Sequence, residues 1–268
     1  MTAIRQYIVD AFAPTVFQGN PAAVCVLDAP LPDATMLKIA QENRLSETAF
    51  LLKEADQYHL RWFTPAAEID LCGHATLGSA YVVLQFLEPE SPSVRFATKS
   101  GLLEVKREGD GLFAMDFPSY ALTPVAMTDE LRQGLFEALG NVPTEIYQAR
   151  DLVCVFEEET IVRTMTPDFA RLLSIPGLLV HVTAPSRTYD YVARSFAPKL
   201  AIDEDPVCGS GHCHLIPYWA KRLGKTDLFS LQASERSGEL YCEDRGARVT
   251  LKGQVALFSE GTIHVPLG

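Results

Sequence analysis

A chain of 268 residues, 47% of them hydrophobic, is long enough for two cores of ordinary domain size. Its net charge of −11, with no basic run, excludes a phosphate-backbone binder and a partner membrane of anionic lipid. No apolar run approaches the ~20 residues of a membrane span and the first residues lack a secretory h-region, so a cytoplasmic protein whose six cysteines are free thiols is expected.

Alternation of apolar and polar residues, clear in Tyr58-His59-Leu60-Arg61-Trp62, predicts strands over 4–10, 23–27, 48–53, 58–63, 94–98, 102–107 and 112–117. Two helices interrupt them. One is predicted over 33–43, with Asp33 as cap and Met36, Ile39 and Ala40 on one face; the other starts near Cys72. Pro118 and Pro124 punctuate the chain between 117 and 128 and set domains at 1–118 and 119–268, the last strand being free to return to the first domain. A helix follows over 129–139, with Leu131, Leu135 and Leu139 in step, then strands over 152–156, 178–183 and 191–196 and a helix after Cys208. From 228 to 266 the pattern is strands joined by turns at Ser237-Gly238, Arg245-Gly246, Gly253 and Glu260-Gly261. The expected fold class is α+β: two similar halves, each a curved sheet wrapped round a central, mostly apolar helix.

One short pattern is written twice. Asp70-Leu71-Cys72-Gly73-His74-Ala75-Thr76 and Asp205-Pro206-Val207-Cys208-Gly209-Ser210-Gly211-His212 each put an acid before a Cys-Gly pair and an apolar helix after it. Such helix starts offer free backbone N–H groups to an anion and lower the pKa of a nearby thiol, so both are expected to face a shared cleft. Gly73, Gly209 and Gly211 let ligand oxygens approach the backbone, and His74, Ser210 and His212 can donate hydrogen bonds or relay protons. Glu47, between a helix end and a strand, and Asn20, in a turn before a strand, read alone as turn residues or as ligand contacts.

These segments resemble a known family. Gly19-Asn20-Pro21-Ala22-Ala23-Val24, Leu45-Ser46-Glu47-Thr48, Phe63-Thr64-Pro65 with Glu68 and Asp70, and the two Cys-Gly segments are similar, in order and spacing, to the PhzF-like isomerases of phenazine biosynthesis. The resemblance implies the diaminopimelate epimerase-like fold: two pseudo-symmetric domains, each a barrel-like sheet round a central helix, with the site between them. It further implies a homodimer and proton transfer on a small carboxylate-bearing molecule without cofactor. Glu47 would be the acid and base, His74, Asp205 and Ser210 its supports, and Gly73 and Gly209 backbone donors to the substrate. Asn20 and Gly211 join the expected substrate contacts.

The best-understood member carries Ala and Thr where this chain has Cys72 and Cys208. Two thiols at helix starts resemble the more distant epimerases and proline racemases, so a two-thiol racemase using Cys72 and Cys208 is the alternative, and a non-catalytic binding protein on the same fold is the third. A zinc site among Cys208, His212, Cys213 and His214 is not expected, because 213 and 214 leave the face that 208 and 212 share. Cys213 and His214 are expected to pack, and His59, His181 and His264 to be structural or exposed. Asp70 and Glu68 are expected as caps of the first central helix.

Overall fold

The computed structural model describes residues 1–266, which cluster into two compact units, one of Met1–Asp116 with the segment from Lys252 onward, the other of Phe117–Leu251. The first unit runs β1 (Thr2–Ala11), β2 (Asn20–Leu27), α1 (Asp33–Asn43), β3 (Glu47–Glu54), β4 (Gln57–Phe63), β5 (Glu68–Ile69), α2 (Gly73–Val82), β6 (Ser93–Thr98), β7 (Gly101–Arg107) and β8 (Phe113–Pro118). A π-helical turn, Val83–Leu87, ends α2. The second unit runs β9 (Thr123–Pro124), α3 (Asp129–Leu139), β10 (Glu145–Gln148), β11 (Leu152–Val155), α4 (Glu159–Thr164), α5 (Phe169–Leu172), β12 (Val180–Pro185), β13 (Tyr191–Ala197), β14 (Ile202–Glu204), α6 (Gly209–Leu223), β15 (Asp227–Gln232), β16 (Gly238–Asp244) and β17 (Arg248–Gly253). The final strand, β18 (Val255–Val265), belongs to the first unit and lies antiparallel to β1.

The strand plan is the same in both units. β2 and β3 are parallel, β3 turns back on β4, β4 pairs with the short β5 and runs parallel to β6, and β6 turns back on β7. In the second unit β11 and β12 are parallel, β12 turns back on β13, β13 pairs with β14 and runs parallel to β15, and β15 turns back on β16. The parallel steps need a crossover of helix length, supplied by α1 and α2 in one unit and by α4–α5 and α6 in the other. The fold is thus α+β on a repeated plan.

Each unit hides its middle helix. On α2, His74 to Ala80 and Val82 are all buried, because the helix packs against β1, β2, β3 and β18. A helix hydrophobic on every side has nowhere else to go. On the outer face, Met36, Ile39 and Ala40 of α1 cover Cys25, Phe50 and Phe63, as the spacing predicts. α3 caps itself with the Thr128 hydroxyl, which accepts from Leu131 N–H, and ends at Gly140 in the left-handed region. Its Leu135 and Leu139 join Val162, Leu172, Leu152 and Val182 in the outer core of the second unit.

Three expectations fail. Asp33 is not the cap of α1: the N-cap is Pro32, with no side-chain capping bond, and Asp33 is the first helical residue. Glu260-Gly261 is no turn: β18 runs through it, with Gly261 opposite Gln6 and Glu260 opposite Tyr7, so a full ladder of pairing overrides the local glycine signal. Neither Asp70 nor Glu68 caps α2, whose N-cap residue is Cys72 with no side-chain capping bond. Glu68 is engaged elsewhere, by Arg61 and Lys99.

Candidate active site

In the first unit, α1 stops at Arg44, left-handed at φ 53°, and the chain re-enters the sheet at Glu47. Glu47 pairs in parallel register with Ala22, and Asn20 lies two residues before Ala22 on the same sheet face. The turn before Asn20 needs glycine: Gly19 has φ +68°, and a Cβ there would lie 2.2 Å from the Ala11 carbonyl oxygen. Asn43 braces the β3 start, donating to Thr48 Oγ1 at 3.1 Å. α2 begins just after Cys72, whose extended backbone (φ −141°, ψ 113°) makes it the N-cap.

This arrangement brings Glu47, Cys72 and His74 together. His74 Nε2 lies 3.0 Å from Glu47 Oε2, and His74 Nδ1 lies 3.5 Å from Cys72 Sγ. All three are buried, Glu47 to 7% exposure against the solvated turn residue its sequence position suggests. Glu47 Oε2 has no hydrogen-bond partner among the described residues; the His74 contact is ion-pair distance without hydrogen-bond alignment. Burial opposes charge on His74, but the adjacent Cys72 sulfur and Glu47 carboxylate outweigh it and raise the ring's pKa well above its usual value. Burial, reinforced by Glu47, pushes the Cys72 thiol up.

The second unit repeats the helix start. Cys208 (φ −98°, ψ 91°) is the N-cap of α6, again without a side-chain capping bond. Ser210 stands where His74 stands in the first copy, 3.5 Å from Cys208 Sγ through its Oγ. Burial, then Asp205, drives the Cys208 thiol well above its ordinary range. Asp205 itself is half-buried and anchored by its N–H to the Ser195 carbonyl. Gly209 is buried and Gly73 half-buried at their helix starts. Gly211 has a packing reason to be glycine: a Cβ there would lie 2.8 Å from His181 Cε1.

Ahead of each cysteine the same clamp appears. Arg61 donates through Nε and Nη2 to both oxygens of Glu68, and Arg194 does the same to Glu204. Each arginine also lies over a phenylalanine two residues on, Phe63 or Phe196, at 5.2 and 5.1 Å. These forks fasten β5 to β4 and β14 to β13, and so fix where the two N-cap cysteines emerge.

A further cluster was not expected. Asp151, fully buried, accepts from Arg150 Nε (3.0 Å) and from Leu179 N–H (3.3 Å), and meets His181 Nε2 at 3.1 Å. His181 Nδ1 lies 2.9 Å from Ser195 Oγ, and His214 Nε2 lies 3.8 Å from Asp151. His181 is a buried structural residue, and His214 packs beside it, stacked on Tyr120. Their separation in sequence hides the cluster; the visible signal is an Arg-Asp pair set against an apolar strand. His212 is wholly interior, held by Tyr191 OH (2.8 Å) and Gln232 (3.0 Å), rather than at an exposed helix start.

Among the described residues, two groups bring three possible metal-ligating atoms within 4.8 Å: Glu47, Cys72 and His74, and Asp151, His181 and His214. In the second the Arg150 guanidinium already occupies the carboxylate, which opposes a cation there. All six cysteines are free and buried. Among the described residues no helix is long and apolar enough to cross a membrane.

The fold defines the class: a hydroxyproline epimerase from Agrobacterium vitis superposes with a TM-score of 0.59 at 10% identity, over 97% of this chain and 92% of that one, a likeness of fold alone. The architecture is of the diaminopimelate epimerase type. The particular family is shown by closer relatives. The model of the phenazine biosynthesis-like proteins, PhzC-PhzF, matches residues 9–261, and the chain belongs to that family. An uncharacterized isomerase of Pseudomonas aeruginosa is 51% identical over 257 residues, 96% of this chain and 97% of its own length. The crystal structure of a PhzF family protein from Enterococcus faecalis matches with a TM-score of 0.95 at 45% identity, covering 98% of this chain and 100% of that one.

Proposed function

We propose that this chain is a cofactor-independent isomerase that moves a proton on a small carboxylate-bearing molecule, with Glu47 as both base and acid. The observation that carries the reading is the buried Glu47 Oε2, lacking a hydrogen-bond partner and facing His74 Nε2 at 3.0 Å. A buried carboxylate oxygen that faces a misaligned imidazole is costly unless a ligand or a reacting proton uses it. Glu47 takes a proton from a carbon made acidic by the neighbouring carboxylate or conjugated system, and returns it to another carbon on the same face. His74 holds a second proton next to Glu47, and the uncapped N–H groups after Cys72 stabilise the charge that develops between the two transfers. Asp205, Gly73, Gly209, Ser210 and Gly211, with Asn20, are the proposed contacts to the substrate's polar groups.

The matched N-cap positions of Cys72 and Cys208 favour the second reading, a two-thiol racemase. Both thiols, however, are pushed up in pKa by burial, which disfavours a thiolate base at neutral pH. Uptake of solvent deuterium into candidate acids separates the two: the first reading expects loss in Glu47→Gln and retention in Cys72→Ser, and the reverse result supports the second.

A further inference from the structure

Arg150 is set up at a cost that neutralising Asp151 alone does not explain. Asp151 has no solvent exposure, and an ionised carboxylate in such a place costs several kcal/mol unless every lone pair is used. Burial opposes its charge, but His181 and Arg150 outweigh that and hold its pKa well below the usual carboxylate range. The charge is therefore permanent, and it is spent on fixing two groups, the His181 ring and the Arg150 guanidinium.

The guanidinium is held from three sides. Its Nε and Nη2 donate to Asp151, Nη2 also donates to Ser210 Oγ at 2.9 Å, and its Cζ lies 5.6 Å from the centre of the Tyr120 ring. Tyr120 is placed in turn by Pro217. A proline at 217 has no N–H for the Cys213 carbonyl one helical turn back, and the Tyr120 N–H takes that place at 3.1 Å. The Tyr120 ring then stacks on His214, centroids 4.5 Å apart and 17° from parallel.

One nitrogen remains. Nη1 of Arg150 has no hydrogen-bond partner among the described residues, and the side chain is still 37% exposed. A surface arginine ordinarily loses much rotamer freedom when it grips an anion; here that loss has occurred before any ligand arrives. We propose that Arg150 is a carboxylate-recognition residue, its pre-oriented Nη1 edge and the neighbouring Ser210 hydroxyl together receiving the oxygens of a small organic acid. The proposal deepens the isomerase reading and rests on it for the ligand's class, but not for which group moves the proton.

The test is titration of the full chain by NMR with acetate and benzoate, and with benzamide as the uncharged counterpart of benzoate. Either carboxylate shifts the Arg150 Nε–H and Ser210 amide resonances, and benzamide does not. Arg150→Lys keeps a positive charge for Asp151 but loses the planar fork, and weakens carboxylate binding by about tenfold or more in a chain that still folds. Wild-type carboxylate affinity in a folded Arg150→Lys chain overturns the proposal, as does the absence of any shift at Arg150 and Ser210 with both acids. Glu47→Gln separates the two readings, since it keeps carboxylate binding on this account whether or not proton exchange survives.

Discussion

Glu68 and Glu204 occupy equivalent places in the two units, each four residues before the cysteine that caps a central helix and each gripped at both oxygens by one arginine. The equivalence ties the repeated Cys-Gly pattern to a repeated mechanical cause. The clamps are not equally buried. Arg194 is largely buried and also donates to the Val162 and Met165 carbonyls, whereas Arg61 is more open.

Arg194→Met should therefore cost about 3 kcal/mol of unfolding free energy, because it strands Glu204 and two carbonyl groups. Arg61→Met should cost nearer 1 kcal/mol, since Lys99 still pairs with Glu68 and Arg61 holds no buried carbonyl. Urea titrations of both variants check the ranking, and equal costs would contradict it.

Stability should peak near pH 6.5 for reasons that lie in three histidines. Burial pushes His212 and His214 down to about 4 from an ordinary 6.5. Between those values the unfolded chain binds protons that the folded chain does not, so stability falls as pH drops, by up to about 3 kcal/mol per ring. His74 has the opposite sign. Its raised pKa gives stability that is complete below 6.5 and is lost as pH rises through the folded value. Denaturant midpoints measured across pH 4.5 to 9 should be bell-shaped; a curve that keeps rising above 6.5 would remove the His74 assignment.

Two glycine-to-alanine changes should move stability in opposite directions. Gly211→Ala drives a methyl to within 2.8 Å of His181 in a packed interior and should cost about 1–3 kcal/mol. Gly134→Ala, in the middle of α3 with its nearest neighbour 3.4 Å away, should stabilise by up to about 1 kcal/mol. Thermal melts of the two variants decide it, and a neutral Gly211→Ala would mean that the α6 start is less tightly seated on His181 than described.

Much of this was legible along the chain and some was not. The doubled Cys-Gly pattern marks both N-caps because a helix start is a local event, readable from a few adjacent residues. The α1 face, Met36, Ile39 and Ala40, follows from helical period alone. The place of Glu47 between a helix and a strand is legible locally, but its burial depends on the parallel pairing with Ala22, a long-range fact. The same holds for the Asp151 cluster, whose His181 and His214 come from a distant strand and helix. The arginine clamps are hidden by an intervening turn, and the Tyr120 role by a proline that reads only as a helix defect. Gly261 misleads because strand pairing with β1 outweighs one residue's preference.

The central claim is that Glu47, not a thiol, carries the proton. Its most direct test is the rate at which the purified protein incorporates solvent deuterium into an acid it turns over, compared among wild type, Glu47→Gln and Cys72→Ser. The account predicts a fall of about a thousandfold or more in Glu47→Gln and a change of less than about tenfold in Cys72→Ser. Wild-type exchange in Glu47→Gln, with exchange abolished in Cys72→Ser, would contradict it.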